Sequence, residues 1–155
     1  MGNLFLYHAT GRENLEAIKK NGLLINPPFH AYEETIGLEG LTGKVFLALS
    51  ADAAQAYAEV SEAFVDIVIL KVPLDCLNED NIRYDWNNRC EHYYEINSCV
   101  YLSDIPGDLL QECDPYKEPF QDIRTFVGTE LYEIIIGTFE EECETCLDEI
   151  EDNDW

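Results

Sequence analysis

The five consecutive residues Leu6-Tyr7-His8-Ala9-Thr10 hold the clearest chemical potential in this chain. They place an imidazole at the end of a short apolar strand, Asn3 to Tyr7. A histidine at a strand edge beside a small hydroxyl residue can hold a sugar or an amide by hydrogen bonds. An amphipathic helix follows, whose apolar positions Leu15, Ala17 and Ile18 are cut off by the stop signal Asn21-Gly22. This arrangement predicts a ligand pocket at His8 and Thr10. Cysteine offers a second chemistry. Cys143-x-x-Cys146 is the one pair at metal or redox spacing, yet no second pair or nearby histidine completes a zinc set, and the neighbouring glutamates raise thiol pKa values. Cys76, Cys90, Cys99 and Cys113 follow no disulfide spacing, so free thiols and no metal are expected.

The elements that must position His8 can be read in chain order. Ile25-Asn26-Pro27-Pro28 ends regular structure, and the glycine-containing stretch 29–42 reads as a loop, a candidate lid or substrate contact. Lys44 to Leu49 reads as a buried strand. Ser50-Ala51-Asp52 supplies an N-cap for a helix over Ala53 to Val60, where Ala54, Tyr57 and Ala58 share a face small enough to lie against a sheet. Val65 to Val72 is a β-branched run closed by Pro73 and predicts a central strand. Asn78 to Asn88 is polar and irregular, and Tyr93 to Leu102 predicts a further strand closed by Ser103-Asp104-Ile105-Pro106. Leu109 to Phe120, with two prolines, reads as a loop or a short helical turn. Phe126 to Thr138 has the apolar content of either a helix or a strand. From Glu140 onward nine of sixteen residues are acidic, which predicts a frayed helix or solvated tail that Leu147 and Ile150 can dock. The expected organisation is one domain over 1–138 and an acidic tail over 139–155.

A chain of 155 residues with 46% hydrophobic and 12% aromatic content can bury a core of its own, and the mix of elements predicts an α+β fold. The charge restricts its partners. With 32 acidic residues against 9 basic ones the formal charge is −23, which repels free nucleic acid and steers basic proteins inward. No run of eighteen apolar residues and no signal-peptide pattern are present, so a cytoplasmic location without membrane contact is expected.

Taken in order, the Tyr7-His8-Ala9-Thr10 strand, the helix ending in Gly22-Leu23, the strand with its small-residue helix, the central apolar strand and Val100-Tyr101-Leu102-Ser103-Asp104-Ile105-Pro106 resemble the ADP-ribosyltransferase superfamily over about the first 110 residues. The resemblance implies a split pair of small antiparallel-rich sheets flanked by helices around an NAD cleft. In the poly-ADP-ribose and diphtheria-toxin branch the first motif reads Tyr-His-Gly-Thr, and its histidine and hydroxyl hold the nicotinamide ribose and the amide side of NAD. His8 and Thr10 match, with Tyr7 before them, and Ala9 stands where glycine is usual, so a methyl narrows the backbone's approach to nicotinamide. Phe46 occupies the place of a tyrosine that stacks on nicotinamide, keeping the ring and losing the hydroxyl. Tyr57 matches a second aromatic of that branch. A glutamate that offsets positive charge on the ribose is implied near the strand containing Val100. Glu95 is the first candidate, Asn97 or Ser98 stand closer when the strand itself is aligned, and Glu91 is a further alternative.

The same strand pattern also looks like the C-terminal half of the RNA 2′-phosphotransferases, which use NAD to remove a phosphate from RNA. That branch needs several arginines for its substrate, whereas this chain carries Lys44 and no arginine beside its second strand. The resemblance therefore implies an NAD-dependent mono-ADP-ribosyltransferase acting on a macromolecular target, a basic protein, with His8 and Glu95 catalytic and with Tyr7, His8, Thr10, Phe46 and Tyr57 on NAD. Two other readings stay open. One is a non-catalytic acidic inhibitor on a transferase-like scaffold that covers the nucleic-acid face of a basic partner. The other is a pocket that recognises an NAD-derived signal without turnover.

Overall fold

The computed structural model describes residues 4–25, 43–61, 65–85, 96–119, 126 and 129–138. It has an α+β fold built on one six-stranded sheet in which every pairing is antiparallel. In chain order the elements are β1 (Phe5–Gly11), α1 (Leu15–Asn21), β2 (Val45–Ala48), α2 (Ala51–Ser61), β3 (Ile67–Pro73), β4 (Ile82–Tyr84), β5 (Ser98–Tyr101), β6 (Gln111–Cys113) and a final helix α3 over 130–138. Across the sheet the strands run β4-β5-β2-β1-β3-β6.

Strand alternation divides this sheet into two working faces. Leu6 opposite Val72 and Leu70 opposite His8 face the larger core, together with Leu47, Cys99, Tyr101 and Ile82. Helix α3 covers that face with Leu131 and Ile135, one turn apart and both buried. Its N-terminus is capped by Thr129, whose hydroxyl accepts from the Tyr132 amide at 3.4 Å and donates to the Phe126 carbonyl. The opposite face carries Tyr7, Ala48 and Ile69 beneath Ala51 and Ala54 of α2. The Ser50 hydroxyl accepts from the Ala53 amide at 3.1 Å, so the expected cap is present and the helix starts two residues earlier than the sequence suggested.

Helix α1 is seven residues long and buries none of them completely, so its placement depends on its C-terminal end. Gly22 ends it at φ 86°, and a Cβ there would lie 2.2 Å from the Ile105 carbonyl oxygen. Leu23 and Ile105 exchange backbone hydrogen bonds of 2.8 Å in both directions, and the Ile25 amide donates to Asp104 Oδ1 at 2.7 Å. The Asn21-Gly22-Leu23 signal and the Ser103-Asp104-Ile105-Pro106 segment are thus two sides of one junction.

Several expectations change. Strand β1 does not stop at Tyr7: its ladder with β3 runs from Phe5 opposite Pro73 to Gly11 opposite Ile67, which places His8 in mid-strand. The polar stretch 78–88 contains β4, and 109–120 contains β6. Both are three-residue strands that get their order from a longer neighbour. The region 126–138 resolves as helix over 130–138. The described strands form one sheet, joined at its middle by a single register pair, Tyr7 with Ala48. The loop expected over 29–42 and the tail over 139–155 lie outside the described residues, as do Cys90, Cys143 and Cys146. Among the described residues no helix is long and apolar enough to cross a membrane.

Two glycines with positive φ separate backbone strain from crowding. Gly22→Ala is expected to cost about 3 kcal/mol or more, because the methyl meets the Ile105 carbonyl as well as a strained backbone. Gly43→Ala, at φ 78° with nothing within 4 Å of its would-be Cβ, should cost only about 1–2 kcal/mol. Urea denaturation of both variants checks the difference, and equal losses would show that the α1 junction is not tight.

Candidate functional site

The seam between β1 and β2 positions the candidate residues. Beyond the Tyr7–Ala48 pair these strands share no further register pair, and the His8 side chain takes over: its Nδ1 lies 2.8 Å from the Phe46 carbonyl oxygen. A carbonyl only accepts, so Nδ1 carries the proton and donates. This leaves Nε2 as a lone-pair acceptor. Burial pulls the His8 pKa below its ordinary value of 6.5, and the Phe46 carbonyl opposes this more weakly by favouring the charged ring. At neutral pH the ring is therefore uncharged, in one tautomer, with a fixed acceptor edge suited to an O–H group.

Thr10 shares the His8 face by alternation and is only 4% exposed. Its Oγ1 accepts from Asn14 Nδ2 at 3.4 Å. Tyr7, the residue before His8, points to the other face and is fully covered, packed with Ala48, Ala51, Ala54 and Ile69. Its hydroxyl is buried without a hydrogen-bond partner. Burial, with Glu118 and Cys113 adding to it, pushes the Tyr7 phenol far above its usual range. By register Phe46 stands with Ala48 on the Tyr7 face, so its ring and the His8 imidazole lie on opposite sides of the sheet and meet through the Phe46 backbone.

Tyr57 projects from α2 toward the start of β5, where its hydroxyl donates to Asn97 Oδ1. The Asn97 carbonyl in turn accepts from the Leu49 amide at 2.8 Å, tying this corner to the end of β2. The next residue, Ser98, is opposite Ala48 and donates to Asp85 Oδ2 at 3.1 Å, both side chains being buried. Sequence reasoning missed Asp85, which directly follows a strand too short to leave a periodic signal. It raises the pKa of the buried Cys99 thiol, though burial is the larger cause. Asp85 is on the far side of β5 and β2 from β1, three strand spacings or roughly 14 Å away. It holds Ser98 in place on the Tyr7 face of the sheet, the face opposite His8. Glu95 and Glu91 lie outside the described residues. The structure thus brings His8 to the Phe46 backbone and Tyr57 to Asn97, and it leaves Tyr7 covered and Thr10 bonded within the protein. Among the described residues no cluster of three or more His, Cys, Asp or Glu side chains is placed to hold a metal ion.

No protein-family model matches the chain, and no curated protein matches it in sequence. Among solved structures, one chain named EcPltA is similar at a TM-score of 0.44 and 16% identity, covering 78% of this chain and 83% of that one. A likeness of that size carries no argument about activity.

Two measurements check this geometry. Tyr7→Phe removes a buried hydroxyl that has no partner, so stability should stay level or rise by about 1 kcal/mol; a loss of that size would reveal a hidden partner. For His8 the depressed pKa fixes the sign. The unfolded chain takes up the proton as pH falls through 6.5 while the folded chain resists, so wild-type stability should drop below that pH relative to above it. His8→Asn, whose amide can still donate to Phe46, should lose that part of the pH slope, as read by denaturation at mildly alkaline and mildly acidic pH.

Proposed function

We propose that the chain is an NAD-dependent mono-ADP-ribosyltransferase that modifies a basic protein. The observation that carries this reading is the locked imidazole of His8: neutral, its Nδ1 committed to the Phe46 carbonyl, and its Nε2 left to accept from a ribose hydroxyl. The single pair at the β1–β2 seam supports it, because strands that part beyond Tyr7 and Ala48 are the hinge a split pair of sheets around an NAD cleft requires. In this reading the nicotinamide ribose meets His8 Nε2 on its own face of the sheet, Phe46 acts through the backbone carbonyl that fixes the imidazole, and the Phe46 ring and Tyr57 belong to the opposite face. The bond from ribose C1′ to nicotinamide breaks and its electron pair leaves with nicotinamide. The acceptor then bonds to C1′ and releases its proton. Glu95 is assigned the offset of positive charge on the sugar, since a carboxylate placed where charge develops lowers that barrier. We place the protein in the cytoplasm, where Cys76, Cys99 and Cys113 stand as free thiols.

Two observations favour a second reading, a non-catalytic acidic binding protein. Thr10 and Tyr7 are both covered, which leaves fewer groups to hold NAD than the resemblance implies. Incubation with NAD labelled in its adenylate part and a basic protein acceptor separates the two. The transferase reading expects label on the acceptor, and a loss of about a hundredfold or more in His8→Asn and in Glu95→Gln. Undiminished transfer in His8→Asn would remove the imidazole from the chemistry. Failure to bind NAD at millimolar concentration, together with salt-sensitive capture of the basic protein, would establish the binding-protein reading instead.

A further inference from the structure

A cavity of about 480 Å³ lies away from the seam, between the turn that follows β3 and the first turns of α3. That volume is within the range of ligand-sized sites, about 300–1,000 Å³. Its floor is aliphatic: Leu4, Leu74, Leu77, Ile82, Leu131 and Ile134. Leu4, Leu74, Leu77 and Ile134 are only partly buried, so the protein's own packing leaves part of this surface open. The rim is acidic. Among the described residues Asp75, Glu79 and Glu130 line it, and no lysine or arginine does.

We propose that this cavity docks a basic, leucine-bearing segment of a partner protein, its aliphatic side chains on the floor and a lysine or arginine between Glu79 and Glu130. The inference rests on the basic-partner half of the reading above and not on its NAD half.

Charge complementarity selects this occupant. A phosphate or an anionic membrane surface would meet three carboxylates, and a bare metal ion would meet a leucine floor. A second copy of the chain would bring a formal charge of −23 toward the same sign, and residues 139–155 contain no lysine or arginine that could satisfy the rim. Glu79 and Glu130 hydrogen-bond to each other, which holds Glu79 above the usual carboxylate range, with burial and the charges of Glu130 and Asp80 adding to it. Two carboxyl groups are thus already gathered around the point where a cationic side chain would sit. The cavity is also on the His8 side of the sheet. Leu4 and His8 are four residues apart on the same face, about 13 Å along β1, so a docked extended segment reaches the seam within about four residues of its own.

A fluorescent synthetic peptide of alternating lysine and leucine, titrated into the full chain, tests the assignment. Binding should weaken as salt rises. Glu79→Gln combined with Glu130→Gln should weaken it about tenfold or more. Glu16→Gln combined with Glu59→Gln, which removes the same charge from α1 and α2, should leave it near wild type. Leu77→Ser, checked for folding by circular dichroism, should weaken it as well. Equal losses in the two charge-neutralising pairs would overturn the proposal, since only the overall field would then be at work. So would a free alkylamine that competes as well as the peptide, or self-association of the protein that the Glu79 and Glu130 changes abolish. NAD binding measured on the same variants keeps the two readings apart. The Glu79 and Glu130 pair should leave it unchanged, and a chain that binds peptide but not NAD would retire the transferase chemistry and keep this site.

Discussion

One hydrogen bond organises the middle of this protein. Where β1 and β2 part after a single pair, the Phe46 carbonyl loses the ladder partner that a continuous sheet would give it, and His8 Nδ1 replaces that partner. A carbonyl left without a donor in such a place costs about 1–3 kcal/mol, so the imidazole is held by structural need. The same bond fixes the tautomer, and burial keeps the ring uncharged. Structure and chemistry therefore converge on one side chain: holding the seam is what leaves Nε2 as an acceptor.

Where the sequence carried strong local signals, the elements followed. Ser50 announced the start of α2, Asn21-Gly22 the end of α1, and the β-branched run before Pro73 the body of β3. Three-residue strands leave no such mark. β4 and β6 exist because Tyr101, Val100 and Cys99, or Leu70 and its neighbours, offer a ladder to join, and no window of their own residues encodes that. Helix α3 shows a related limit. Its run Ile134-Ile135-Ile136 has strand propensity, but burial at Leu131 and Ile135 recurs with helical spacing, and tertiary packing decides. For the site, His8 could be picked out by its neighbours in sequence. Its bond to Phe46, 38 positions away, could not, nor could the position of the Phe46 ring on the opposite side of the sheet. Asp85 was hidden in a polar stretch, where nothing distinguishes a buried carboxylate from a solvated one.

Three of the nine cations tie strands and turns together. Arg12 bridges Asp66 at 2.9 Å and Glu112 at 3.0 Å, bracing β1 to its neighbours. Lys71 pairs with Glu118 at 2.7 Å and lies over the Phe5 ring. Arg83 donates to the carbonyls of Asp80 and Ile82. The acidic rim of the aliphatic cavity belongs to a chain whose formal charge is −23, with few cations left over to offset it.

The junction between α1 and the Ile105–Gly107 turn has a consequence for how the chain is made. Gly107 approaches so closely that a Cβ would lie 2.3 Å from the Lys19 carbonyl oxygen, the counterpart of the contact at Gly22. A seven-residue helix is too short to persist alone in water, so α1 waits for a segment more than eighty positions downstream. On the ribosome, His8 and the helix after it emerge early but remain without a docking partner until most of the polypeptide has been synthesised. Closing so long a loop late makes productive assembly slow and leaves α1 undocked during that interval.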